Sequence, residues 1–174
     1  MRWIALIFAL LVAIVVGVFL AGAMLPLKHS VSRSLTLHQK PEAVWQAVTD
    51  HQHDPQWRSD VANVTRLDDR NGHPLWEEKY KNGDAMRIET TASEPPRKLV
   101  RKIVDQSMFG GVWTYEVTPS ADGNSTSVRI TEDGEVYNPA FRFIARFVMG
   151  HATTLEKYLK SLAGKFGEAA TPQP

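Results

Sequence analysis

The chain of 174 residues contains no cysteine. Disulfides, thiolate metal sites and thiol nucleophiles are therefore excluded. Net charge is also nearly missing, with 20 Lys and Arg against 19 Asp and Glu. A strongly basic nucleic-acid footprint is absent, and so is an acidic tail. There is no G-x-S-x-G nucleophile elbow, no P-loop and no dinucleotide fingerprint. Neither an internal repeat nor a low-complexity block interrupts the chain. Nothing in the pattern calls for a cofactor.

What is present is unevenly spread. Residues 1–30 hold Arg2 and Lys28 and no acid, which leaves 18 basic against 19 acidic residues in 31–174. Trp3 to Leu25 is an apolar run of 23 residues. As a helix it is about 34 Å long, enough to cross a hydrocarbon core of roughly 30 Å. Arg2 and Lys28 bracket it, and the indole of Trp3 suits a membrane interface. Ala21-Gly22-Ala23 offers a signal-peptidase-like site, but the run exceeds the usual signal core of about 7–15 residues. An uncleaved single-pass anchor through residues 3–25 is the better reading, with a cleaved signal as the alternative. The flanking charges do not orient it. Its two-residue N-terminal tail resembles a signal-anchor, which places the following domain on the extracytoplasmic side.

Residues 1–30 thus read as anchor and short linker, 31–166 as one domain, and the small, polar, Pro-containing stretch 167–174 as a disordered tail. Within the domain, Val31–Leu37 alternates as a strand. Pro41–Val48 reads as a short helix with an early proline. Asp54-Pro55 reads as a cap and first-turn proline of a second short helix through Trp57. Strands are predicted over 61–68, 74–81, 85–93, 98–106, 111–118 and 126–136. Between them fall Asn71-Gly72, Asn82-Gly83-Asp84, Glu94-Pro95-Pro96, Gly110-Gly111 and Asp122-Gly123-Asn124, which signals an antiparallel meander. Asn138-Pro139 then opens a long helix. Its apolar face runs through Phe141, Ile144, Phe147, Val148, Leu155, Tyr158, Leu159, Leu162 and Phe166, and Gly150 is placed to kink or split it. The expected fold is α+β, with a curved seven-stranded antiparallel sheet around the C-terminal helix and two short helices after the first strand.

Pro41-Glu42-Ala43-Val44-Trp45, Pro55-Gln56-Trp57, Val61-Ala62-Asn63-Val64 and Asn138–Phe147 resemble the START-like, helix-grip (SRPBCC) superfamily. The similarity is to its polyketide cyclase/dehydrase and lipid-transport group, and it spans about residues 31–166. The resemblance implies an apolar cavity between sheet and long helix. It does not fix an activity, because members include ligand carriers, cyclases, quinone-binding proteins and membrane-recruiting subunits.

Alternation places Trp76, Glu78, Tyr80, Met86, Ile88, Trp113, Tyr115, Val128 and Ile130 on the inward face, and Phe147 on the helix opposite. These are the candidate ligand-binding residues, and the same pattern also describes a filled core. Glu78 and Glu132 are the candidate acid/base groups, since a carboxylate in an apolar cavity gains a raised pKa. Either acid would be structural instead if paired with Arg101 or Arg129. His51-Gln52-His53-Asp54 has a weak metal-like spacing, with His73 or His151 as a third ligand, but a polar loop is the simpler reading and no metal is assigned. Three functions follow. One is a membrane-anchored module binding a hydrophobic small molecule of the lipid, isoprenoid or quinone class. The second is a cyclase or dehydratase in which Tyr80 or Tyr115 orients a carbonyl. The third is a recruiting protein whose protein partner the sequence does not name.

Overall fold

A computed structural model describes residues 2–121 and 123–174. Met1 and Asp122, the latter in the expected turn at 122–124, lie outside the described residues. Helix α1 (Arg2–Ala23) leads into β1 (Lys28–Leu37). Helix α2 (Pro41–Thr49) and a 3-10 turn (His51–Gln56) follow. Then come β2 (Val61–Arg70), β3 (His73–Tyr80), β4 (Ala85–Glu94), β5 (Lys98–Val104), β6 (Phe109–Pro119) and β7 (Thr126–Val136). The chain closes with α3 (Pro139–Ile144), a π turn (Ala145–Met149) and α4 (Thr153–Lys165).

The seven strands form one antiparallel sheet in the order β1-β7-β6-β5-β4-β3-β2. Strands β2 to β7 are a meander, as the turn signals predict. Asn71 and Gly72 both take positive φ, 53° and 80°, the conformation that a tight Asn-Gly hairpin requires. Strand β1 returns to pair with β7, placing Leu35 beside Val128. It begins at Lys28, three residues before the alternation predicts. Helix α4 lays Leu155, Leu159 and Leu162, all fully buried, against Leu37, Val128 and Ile130 of the concave face. Val44 and Val48 of α2 close one end of this core.

Three expectations change. Asp54 does not cap a helix: the 3-10 turn starts at His51, and the Asp54 carboxylate is buried and accepts from Arg58 at 3.1 Å. A charge partner one turn away outcompetes the backbone for it.

The C-terminal apolar face is also divided. Asn138 does cap its first turn, accepting from the Phe141 N–H at 3.1 Å. The π turn then adds a residue per turn, and Gly150, at φ 78°, redirects the chain before α4. Leu155, Tyr158, Leu159 and Leu162 are consequently buried while Ile144, Phe147 and Val148 are exposed.

The tail, expected to be disordered, lies along β1. Ser34 and Gln173 exchange two backbone hydrogen bonds of 2.8 Å, and Glu168 accepts from the His38 N–H. As an edge strand, β1 offers unpaired backbone groups that the tail satisfies.

Helix α1 is about 33 Å long at 1.5 Å per residue and has the length and composition of a membrane anchor or signal sequence. Its apolar side chains are exposed, and its one buried residue is Gly22. A methyl group at Gly22 would overlap the Pro139 carbonyl of α3. The Arg142 guanidinium of α3 donates to the Leu25 carbonyl at 2.9 Å. The end of α1 is therefore seated on the domain rather than hinged away from it. Gly22→Val is expected to separate α1 from α3, at a cost of about 1–3 kcal/mol for overpacking. Faster amide hydrogen exchange in Phe141–Ile144, with exchange in β6 and β7 unchanged, is the outcome that checks it.

Candidate functional site

A cavity of about 280 Å³ lies between the concave face of the sheet and the break separating α3 from α4. Its walls are mostly apolar, from Met86 and Ile88 of β4, Trp113 and Tyr115 of β6, Val136 of β7 and Phe141 of α3. Phe141 stacks near Phe109, with ring centroids 6.4 Å apart. Trp113, Tyr115 and Tyr158 meet edge to face or tilted at 5.5–6.1 Å, separations that favour aromatic pairs.

The buried end of the cavity is charged. Glu78 of β3, 1% exposed, accepts from Arg101 at 3.0 Å and from Arg58 at 3.0 Å. The Tyr80 hydroxyl donates to the same carboxylate at 2.9 Å. Register explains the convergence: Arg101 comes from β5, two strands from β3, and Arg58 follows the 3-10 turn, which its bond to Asp54 braces. Burial opposes ionisation of Glu78, but the two guanidinium groups outweigh it and hold its pKa at about 2. Burial raises Asp54 to about 6 against the pull of Arg58. Burial, then Arg101, push His51 well below its usual value, so its ring is neutral. The Arg101 Nε–H is buried without a partner, a donor available at the cavity wall.

The more exposed side has a second polar cluster. His29 Nε2 lies 3.1 Å from Glu132 Oε1, and the His29 ring stacks on His151 at 3.8 Å. Glu132 is raised by burial, against hydrogen bonding to His29 and Trp113. His151 is lowered by burial and by the neighbouring His29. Gly134 makes the arrangement possible, since a side chain there would run into the His29 ring.

Of the residues singled out in the sequence, Glu78, Tyr80, Met86, Ile88, Trp113, Tyr115 and Glu132 line this one cavity. Four candidates do not. Val128 and Ile130 are fully buried in the core under α4. Trp76 meets His51 edge to face at 5.3 Å, and the Arg66 guanidinium lies over its ring at 5.2 Å. Phe147 is 63% exposed because the π turn rotates it outward. Glu132 pairs with neither Arg101 nor Arg129 but with His29.

Sequence reasoning missed Arg58, His29 and Phe109, and named His151 only as a possible third metal ligand. His29 shares the parity of Val31, Leu35 and Leu37, a signal hidden because the alternation breaks at a polar side chain. In the His-x-His pair, His51 is buried against Trp76 while His53 is exposed and bonds Asp50 at 2.7 Å, so the two rings do not converge. Among the described residues, no three His, Asp or Glu side chains are grouped to hold one metal ion.

The Glu78 pair sets a pH signature. Its folded pKa is below the usual value, so its contribution is complete above about 4.5 and is lost as pH falls toward about 2. Glu78→Gln leaves Arg101 without its counter-ion and Arg58 with Asp54 alone, which is expected to cost about 3–5 kcal/mol. It is also expected to flatten the acid limb of stability against pH. Urea unfolding at a series of pH values measures both effects.

The sequence matches the family model "Polyketide cyclase / dehydrase and lipid transport" over residues 28–167. No curated protein sequence matches it. Among solved structures it is similar to a START superfamily protein from Mycobacterium smegmatis, at 21% identity and TM-score 0.61, covering 79% of this chain and 96% of that one. It is also similar to Zhui aromatase/cyclase from Streptomyces sp. R1128, at 13% identity and TM-score 0.63, covering 79% and 93%. Norcoclaurine synthase from Thalictrum flavum aligns at 8% identity and TM-score 0.62, covering 79% and 93%. At these identities the structures share a fold and nothing finer. Family match and curved seven-stranded sheet agree, and the chain belongs to the polyketide cyclase/dehydrase and lipid-transport family of the START-like superfamily.

Proposed function

We propose that the protein is a membrane-anchored module that holds a hydrophobic small molecule of the lipid, isoprenoid or quinone class in the sheet–helix cavity. The observation that carries this reading is the combination of an apolar-walled space with a built polar end. Apolar walls with a few convergent polar groups are what a small-molecule site needs. At about 280 Å³ the space lies at the lower end of such sites, which suits one apolar chain or a small ring system. The unpartnered Arg101 Nε–H supplies a donor for a carbonyl, hydroxyl or acidic head at the buried end. The seating of Gly22 on Pro139 and of Arg142 on Leu25 supports an anchor that stays attached. A tethered pocket samples the bilayer at high effective concentration.

A second reading is a cyclase or dehydratase, and Glu132 is what favours it. Its carboxyl is raised, touches His29 and borders the cavity, the arrangement of a general acid/base. Glu78 does not serve this role, because two guanidinium groups keep it ionised throughout the neutral range. Two variants separate the readings. Met86→Trp fills the cavity, and denaturing mass spectrometry of the detergent-purified chain is expected to show loss of a co-purified lipid that the wild type retains. Glu132→Gln is expected to keep that lipid. If the wild type carries no lipid and gains no thermal stability from lipid extracts, the carrier reading fails. If Glu132→Gln accumulates an unprocessed ligand, the enzyme reading replaces it.

A further inference from the structure

Neither α3 nor the π turn contains a buried residue. Ile144, Phe147, Val148 and Met149 are 37%, 63%, 73% and 54% exposed, a contiguous apolar patch on the surface. Such a patch on an otherwise polar domain marks an interaction site. Three observations say what covers it.

The first is position. The patch continues from the helix on which the end of α1 is seated, through Gly22 against Pro139 and Arg142 bonded to the Leu25 carbonyl. Phe147 follows Pro139 by eight residues, which at about 1.5 Å per residue puts it within roughly 12 Å of that contact. The second is charge. Residues 136–155 contain Arg142, Arg146 and His151 and no acid, with Arg146 exposed between Phe143 and Phe147. Aromatic and aliphatic side chains interleaved with arginine suit the boundary between acyl chains and anionic headgroups. The third is the cavity. Ala145, Met149 and Gly150 of this same segment form part of its wall.

We propose that the segment Ile144–Gly150 is an interfacial hatch. It dips Phe147 and Val148 into the anionic bilayer that α1 spans, and it opens the cavity directly to that bilayer. A ligand then passes from acyl chains to pocket without crossing water. The hatch is suited to moving because the π turn packs no buried side chain and Gly150, at φ 78°, forms a pivot between it and α4. The proposal rests on the anchored reading above, and its test is chosen so that the two fail differently.

The lack of native cysteine makes the test direct. Single variants Phe147→Cys, Val148→Cys and Lys160→Cys, the last on the exposed side of α4, are labelled with an environment-sensitive fluorophore. The full chain is then placed in nanodiscs of mixed zwitterionic and anionic phospholipid. Labels at 147 and 148 are expected to shift to shorter wavelength and to be quenched by nitroxide on the acyl chains. The label at 160 is expected to respond only to aqueous iodide. The double variant Phe147→Asp/Val148→Asp is expected to unfold at the wild-type temperature, because both positions are exposed, yet to take up lipid from nitroxide-lipid vesicles more slowly. Aqueous quenching at 147 and 148 in chains retained by the disc overturns the hatch and leaves the anchor standing. A chain that does not stay with the disc overturns both. Wild-type uptake by the double variant overturns the hatch alone, and a binding protein that protects the labels without lipid does so too.

Discussion

A carboxylate with 1% exposure, held between two guanidinium groups, sets the conditions for the rest of the domain. Glu78 sits on β3, Arg101 on β5, and Arg58 just beyond the 3-10 turn. Two guanidinium groups and two carboxyl groups, those of Glu78 and Asp54, are tolerable out of water only if each finds its partners. Meeting that condition holds the 3-10 turn against the sheet, through Asp54 on one side of Arg58 and Glu78 on the other. The same network keeps polar groups at the inner end of a space that Leu or Phe side chains would otherwise fill. The cavity is thus bounded at one end by charge pairing and at the other by the break in the C-terminal helix.

The two polar clusters divide the work by environment. At the buried end, Glu78 stays ionised and Tyr80 stays protonated, its hydroxyl pushed up by burial and by Glu78. These groups hold their charge states through the neutral range and suit fixed recognition of a polar head. Beside the π turn, Glu132 moves up and His151 moves down. Burial drives both shifts by penalising the charged forms, so Glu132 moves toward neutral pH and His151 moves away from it. On the carrier reading proposed above, the fixed end orients the polar head of a ligand. The same layout would serve proton transfer, which is why Glu132 is the residue that separates the two functions.

Much of the fold was legible because its signals are local. The Asn71-Gly72 turn, the Asn138-Pro139 cap and the period-two strands each follow from the backbone preferences of a few neighbouring residues. The cavity wall was also partly legible: parity points Tyr80, Met86, Ile88, Trp113 and Tyr115 inward, and all five line the cavity. Parity separates two faces, but it does not give depth along a face. Val128 and Ile130 face inward like Tyr115, yet α4 covers them completely. Phe147 was misplaced because a 3.6-residue period does not anticipate a π turn. The tail was misread because its order comes from the open edge of β1 rather than from its own composition.

Taken by itself, the sequence determined the long apolar helix, the meander, the split C-terminal helix at Gly150 and the lack of a thiol or a phosphate-loop motif. Each of these depends on residues close together in the chain or on composition. Only the tertiary structure decided which charges meet. Glu78 is 20 residues from Arg58 and 23 from Arg101, and Glu132 is 103 residues from His29. Whether such acids are free or paired depends on strand register and sheet curvature, which bring distant side chains to 3.0–3.1 Å. Their protonation follows from that proximity and from burial, and neither property is written in the order of residues along one strand.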